Sequence, residues 1–401
     1  MAYAIIGFLY LTFFVYFGKL NMYYCYIYNI RITIYYYRRC IILMETKKGI
    51  IFTGAIVGII SVLLVKLGNP INMGFCVACF IRDISGGLGF HRAEVVQYLR
   101  PEVMGLVLGA FIMAISRKEF NVKGGSSPFI RFTLGIVLMI GALMFLGCPL
   151  RMVLRLGGGD LNAIVGIAGF AFGIVLGIFF LNKGFTLKRN YKMPKSEGYI
   201  FPLINIALIF LLVSAPTFIF FSAKGPGSMH APIIISLVSG LVVGILAQRT
   251  RLCMVGGIRD LILFKDTYLI SGFISILLFT LIGNIALGYF NIGFEAQPIA
   301  HSDGLWNFLG MTLVGWASVL LGGCPLRQLI LSGEGNTDSV ITVIGMLVGA
   351  AICHNFGLAS SPEGPSSNGQ IAVIVCLVVV GLISYLNSEM VTSKTKTKGV
   401  A

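Results

Sequence analysis

From residue 49 onward the chain alternates between long apolar blocks and short polar stretches. A bilayer core takes about 20 apolar residues per helix. Blocks of roughly that length run near 49–67, 101–116, 129–146, 161–181 and 200–221, and again near 231–248, 268–290, 305–322, 338–356 and 370–386. Each reads as a span. Four shorter apolar pieces, 70–85, 149–156, 251–264 and 325–332, lie beside Gly, Pro and Arg and are too short to cross. Such pieces are candidates for re-entrant or broken helices, tolerated where protein or a cavity buries them. The pattern predicts an all-α polytopic membrane protein of about ten spans plus short re-entrant helices.

Composition agrees. The chain has 401 residues, 57% hydrophobic and 11% charged, against about 25% charged in soluble domains. Its 50 glycines are scattered along the apolar blocks, as suits close helix packing in lipid. The formal charge of +15 does not point to nucleic acid, because the basic residues cluster in short loops. Lys47 and Lys48 precede the first span. Arg117, Lys118, Lys123 and Arg131 follow the second, and Lys183, Lys188, Arg189, Lys192 and Lys195 follow the fourth. Lys394, Lys396 and Lys398 lie in the tail, whereas 291–304 and 357–369 contain no Lys or Arg. The positive-inside rule puts both ends of the ten-span core in the cytoplasm, with the chain in a bacterial inner membrane.

The second half repeats the first. Gly147-Cys148-Pro149-Leu150-Arg151 recurs as Gly323-Cys324-Pro325-Leu326-Arg327, and Cys76 with Arg82-Asp83 recurs as Cys253 with Arg259-Asp260. Five spans per repeat is an odd number, so the second repeat is expected to enter the membrane in the opposite sense. Inverted repeats of this kind put a substrate site where they meet. The domain division is 1–43, an uncertain hydrophobic extension; 44–222, the first repeat; 223–390, the second; and 391–401, a cytoplasmic tail. Residues 1–43 match nothing in the second half, and Met44 begins an ordinary membrane-protein start. The extension therefore reads as upstream sequence from a misplaced start codon, the alternative being an extra helix or signal anchor.

Proline favours the first helical turn, so Cys148-Pro149 and Cys324-Pro325 each predict a short helix capped by cysteine. Its free N–H groups and positive dipole end make a ready anion site, and Arg151 and Arg327 add charge one turn on. The alternative is a helix-breaking turn with a small buried thiol; recurrence of the whole motif favours function. Arg82 and Arg259 are intramembrane charges, functional by default, although an internal pair with Asp83 or Asp260 would equally lock the short helix in place. Cys76 and Cys253 are expected on the same helices as these arginines, facing the same cavity. Cys25, Cys40, Cys353 and Cys376 lack repeat partners and read as packing. His354 and Asn355 are a weak polar signal, and Asp160-Leu161-Asn162 and Glu334-Gly335-Asn336 read as caps of the next helices. The cysteine spacing has no zinc pattern, Cys79 has Gly256 in its place in the second copy, and the four histidines form no HxxxH pair; no metal or cofactor is expected.

These GCPLR stretches, the Cys-x5-Arg-Asp elements at 76–83 and 253–260, and the duplication resemble the YeeE/YedE family of bacterial membrane proteins over about 44–386. Cys-Phe-Ile-Arg-Asp-Ile at 79–84 and Gly-Gly-Cys-Pro-Leu-Arg at 322–327 resemble its selenium-associated YedE branch. The resemblance implies uptake of a sulfur-containing anion such as thiosulfate, passed along Cys76, Cys148, Cys253 and Cys324 by weak S–H···S contacts, with a small TusA-like soluble sulfur carrier as a functional neighbour. Cys79 is outside that set. The expected function is import of a sulfur- or selenium-containing oxyanion rather than an enzymatic reaction. Two alternatives are a membrane thiol–disulfide oxidoreductase, against which Gly256 speaks, and a soft-metal transporter, against which the arginines speak.

Overall fold

The computed structural model describes residues 45–389, so the expectations for 1–43 and for the tail fall outside the described residues. The described chain is almost wholly helical. Its first series is α1 Lys47–Lys66, α2 Val77–Gly87, α3 Pro101–Ser116, α4 Pro128–Met144, α5 Pro149–Gly157, α6 Asn162–Asn182 and α7 Lys195–Ser214. Its second is α8 Ile233–Thr250, α9 Met254–Phe264, α10 Tyr268–Leu287, α11 Gly304–Leu321, α12 Pro325–Gly333, α13 Thr337–Asn355 and α14 Ser367–Leu386. The order long, short, long, long, short, long, long occurs twice. A small antiparallel pair, β1 Lys123–Gly124 and β2 Tyr191–Lys192, ties two loops together.

Nine helical segments among the described residues are long and apolar enough to cross a membrane. Three of these, Pro128–Gly157, Ile233–Phe264 and Gly304–Gly333, are a long helix, a break and a short helix in succession. The 16-residue α3 is the shorter apolar helix. The protein is therefore an all-α, multi-pass membrane protein. Its burial is inverted relative to a soluble domain: Leu203, Phe210, Ile282 and Leu386 are each more than half exposed, while Arg82, Asp83, Arg100, Glu102, Arg151, Arg155 and Asp160 are buried. Lipid satisfies the former, and only protein partners can satisfy the latter.

The long helices pack chiefly across the two series: α3 on α8, α1 on α10, α6 on α11, and α4 on α13. Exchanging each helix for its counterpart in the other series maps α3–α8 onto α10–α1, and α6–α11 onto α13–α4. The contacts are close because glycine lines them. A Cβ on Gly105 of α3 would lie 2.3 Å from Leu237 O, and one on Gly240 of α8 would lie 2.3 Å from Glu102 O. Small-residue faces of this kind let membrane helices approach backbone to backbone. Glu102 meets Gly240 and Leu106 meets Gly244, so α3 and α8 run parallel.

One end of the bundle gathers the basic segments. Arg249, at the end of α8, forms ion pairs with Glu45 just before α1 and with Glu119 just after α3. Pairing of β1 with β2, the bond from Ser127 Oγ to Leu187 O and the bond from Thr186 N to Asn387 O bring 117–131, 183–195 and the end of α14 to the same end. At the opposite end Asn291 N bonds Gly158 O, Ser360 N bonds Leu143 O and Phe220 N bonds Gly87 O. Since α1 starts and α8 finishes at the basic end, these counterparts run in opposite senses.

Candidate functional site

All four motif cysteines are helix N-caps. Cys76 caps α2, Cys148 caps α5, Cys253 caps α9 and Cys324 caps α12, each with extended backbone. The expectation that Cys76 and Cys253 ride within the arginine-bearing helices is corrected by one position: they precede the helices rather than belong to their faces. The Sγ of Cys76 accepts from the N–H of Cys79, and that of Cys253 from the N–H of Gly256, both at 3.4 Å. The helices of each series then meet start to start. Cys76 Sγ lies 3.9 Å from Cys148 Sγ, and Cys253 Sγ lies 3.9 Å from Cys324 Sγ. These are thiol–thiol contacts; a disulfide would need about 2.05 Å. At each pair two helix N-termini, with their free N–H groups and partial positive charge, converge on two soft sulfur atoms.

Local sequence explains the geometry. In the first copy the chain leaves α4 through Leu146, with φ +58°, and Gly147; in the second, Gly322, with φ +79°, takes the left-handed position. Pro149 and Pro325 then restart the helix with their rings in the first turn. Gly147 and Gly323 leave room for the arginine that follows: a Cβ on either would lie 2.9 Å from a side-chain carbon of Arg151 or Arg327.

The arginines differ between copies. Arg151 is fully buried and is held by backbone carbonyls: Nε to Asn72 O at 3.0 Å, Nη1 to Leu146 O at 2.5 Å and Nη2 to Ile299 O at 3.0 Å. Its Nη1 also lies 3.2 Å from Cys79 Sγ. Arg327 instead pairs with Glu334 at 3.0 Å. Arg82 pairs with Asp83 at 2.7 Å, and Asp83 is shared with Arg100, also at 2.7 Å. Arg259 pairs with Asp260 at 2.8 Å. Both Arg–Asp pairs expected from the sequence form, each between neighbours on one helix, and only Asp83 reaches a second element through Arg100. Solvent reaches the second copy more readily, with side-chain exposures of 27% for Arg259 and 13% for Arg327 against 3% for Arg82.

Three residues of this environment escaped the motif reading. Arg100 bonds Asp83, Met229 O and Pro226 O, and Arg155 bonds Asp160 at 2.6 Å and Phe145 O. Arg155 lies one turn beyond Arg151, a spacing that could have revealed it; Arg100, before Pro101, carries no such signal. Asn72 supplies only a carbonyl, which no side-chain pattern encodes. The caps are split: Asn336 caps α13 through the N–H of Ser339, while Asp160 accepts from the N–H of Asn162 and binds Arg155. Cys353 and Cys376 are buried within α13 and α14, and Cys25 and Cys40 lie outside the described residues. The His354 ring packs on His91 with centroids 4.6 Å apart, and Asn355 bonds Phe90 O.

At the basic end, a cavity of about 280 Å³ is lined by Glu45, Glu119, Gln248, Arg249, Thr250, Arg251 and Tyr268. It opens directly beside the chain leading to Cys253. Among the described residues no three His, Cys, Asp or Glu side chains converge as metal ligands.

Comparison with known proteins joins this geometry to a family. Residues 249–396, which contain the whole second copy of the motifs, match the family described as Sulphur transport. The thiosulfate transporter TsuA of Escherichia coli (strain K12) is 27% identical over 166 residues, 39% of this chain and 46% of that protein. TsuA of Spirochaeta thermophila is 30% identical over 119 residues, 28% of this chain and 34% of that protein. The chain thus spans less than half the length of these curated relatives. With the repeated Gly-Cys-Pro-Leu-Arg motif set as helix caps in both halves and the Sulphur transport match over residues 249–396, the second half of the chain is similar to membrane proteins of the sulphur-transport family.

Proposed function

We propose that this protein imports a small sulfur-containing oxyanion, thiosulfate or a close analogue with a terminal chalcogen, through the bacterial cytoplasmic membrane. The observation that carries the proposal is the meeting of two cysteine-capped helix starts, twice, with sulfur atoms 3.9 Å apart each time. Helix N-termini favour anions. A thiol is a weak donor, so it replaces lost water poorly for the strongly hydrated oxygens of sulfate. It costs less to a soft, polarisable terminal sulfur or selenium. Each weak contact contributes about 0.5–1 kcal/mol, enough in series for roughly tenfold preference. Weak successive sites also let the ligand leave. The two relatives named as thiosulfate transporters support the substrate class.

The path runs through Cys76, Cys148, Cys253 and Cys324, with Arg151 beside the first pair and Arg327 beside the second. The positive-inside rule assigns the basic end to the cytoplasm. The opposite senses of α1 and α8, and the exchange of packing partners between the series, support an inverted repeat with the pathway at its centre. Arg82 and Arg259, each paired with its neighbouring aspartate, add positive charge on the short helices that Cys76 and Cys253 cap. A TusA-like sulfur carrier is the soluble partner this reading calls for at the cytoplasmic end. Uptake of radiolabelled thiosulfate into proteoliposomes tests the proposal: saturable uptake, with sulfate a weak competitor and selenosulfate a strong one, supports it, and equal competition by sulfate refutes thiol selection.

A further inference from the structure

The two copies of the motif pair their arginines with carboxylates differently. At the end away from the basic loops, the buried Arg82, Arg100, Arg151 and Arg155 share two carboxylates, Asp83 and Asp160. Arg151 has no carboxylate among its partners, only three carbonyls and a thiol. At the basic end, Arg249, Arg259 and Arg327 are bonded to four carboxylates, those of Glu45, Glu119, Asp260 and Glu334. The repeat itself isolates the difference. Arg151 and Arg327 occupy the same motif position, and the position of Glu334 corresponds to Gly158 in the first copy. There the Asn72 side chain takes the space: a Cβ on Gly158 would lie 2.2 Å from Asn72 Oδ1, which would have to turn aside. The first copy has glycine in place of this carboxylate.

We infer that Glu334 is a positioning residue for release: by engaging Arg327 at 3.0 Å it weakens the hold of the second cysteine pair on the anion, so that the ligand is captured at the Arg151 end and let go at the Arg327 end. The inference rests on the anion-transport reading above. Arg327 is its one bonded cation. Coulomb attraction between partly buried unit charges is large enough for one carboxylate to decide whether Arg327 is available to a dianion. Binding equally tight at both pairs would trap the ligand, since conduction needs sites weak enough to leave.

The test is equilibrium binding of radiolabelled thiosulfate to the purified full chain, alongside proteoliposome uptake. Wild-type uptake reports on the transport reading itself; the ratio of variant to wild type reports on Glu334. E334Q is expected to bind thiosulfate about three- to tenfold more tightly while turning over more slowly at saturation, and E334D to behave like wild type. Unchanged or weaker binding by E334Q overturns the inference even if wild type transports, as does an E334D change as large as that of E334Q. Should E334Q fail to reach the membrane, E334A measured in the same two assays reads the same device, with tighter binding and slower turnover expected. The charged groups acting on Glu334 are Arg327, Arg251 and Glu119. Burial raises the Glu334 carboxyl against the pull of Arg327. Burial also raises Glu119, but the bonds from Gln248 and Arg249 outweigh it and hold that carboxyl low. Of these two carboxyls Glu334 is the one that protonates first as pH falls, freeing Arg327. Unchanged or weaker binding by E334A overturns the inference.

Discussion

Cys253 and Cys324 are 71 residues apart in the chain and hold their sulfur atoms 3.9 Å apart. Neither lies on a helix face. Each sits at the start of a short helix, and the two starts are brought together by the packing of the long helices around them. Mild oxidation is therefore expected to join them, because the sulfurs need move only about 2 Å to reach disulfide distance. Recovery of a Cys253–Cys324 linked peptide by mass spectrometry, with uptake lost and then restored by reductant, is the predicted result; a Cys76–Cys253 link in its place contradicts the pairing.

Removing one thiol from a pair should weaken transport without unfolding the protein. Cys148→Ala and Cys324→Ala are each expected to lower thiosulfate uptake about two- to fivefold, the ~0.5–1 kcal/mol of one weak contact, at unchanged membrane abundance. Cys376→Ala, in the unpaired α14 position, should leave uptake intact. Equal uptake by all three variants would return Gly-Cys-Pro to a mere turn.

Asp83 carries two buried arginines. Asp83→Asn leaves Arg82 and Arg100 without their shared carboxylate at 2.7 Å, and breaking a buried charge network costs about 3–5 kcal/mol. The variant is expected to lose thermal stability in detergent far more than Asp260→Asn, whose arginine is 27% exposed. Matching melting curves for the two would show that the Asp83 network is not what holds α2.

The α3–α8 contact leaves no room for a side chain. Gly240→Val puts carbon against Glu102 O, where even a Cβ would lie 2.3 Å away, and overpacking of this kind costs about 1–3 kcal/mol. Folded yield by size-exclusion chromatography should fall sharply for Gly240→Val and stay normal for Gly304→Ala, whose Cβ would meet nothing nearer than 4.0 Å.

Single cysteines introduced into 183–195 should be shielded from an impermeant thiol reagent in intact cells, and those in 291–304 should be labelled. The structure puts these loops at opposite ends. Labelling of both would contradict a membrane-crossing arrangement of α10.

Hydrophobic patterning located the apolar blocks, but 70–85 starts seven residues before α2 and 200–221 is displaced from α7. Gly-Cys-Pro breaks an apolar run locally, so the starts of α5 and α12 are written in the sequence, whereas α2 and α9 carry no proline to mark theirs. The duplicated motif likewise marked which cysteines cap the short helices and meet in pairs, because two copies in register are visible without any contact being known. Other features are not local. Which thiol meets which depends on how long glycine-lined helices dock across the series, a property of shape that no residue spacing carries. The partners of Arg151 are backbone carbonyls of Asn72, Leu146 and Ile299; every residue has a carbonyl, so sequence cannot say which three will turn toward it. The same holds for the contrast between Arg151 and Arg327. Both arginines read alike within Gly-Cys-Pro-Leu-Arg, and they part in the fold, where Glu334 pairs with Arg327 while three backbone carbonyls hold Arg151.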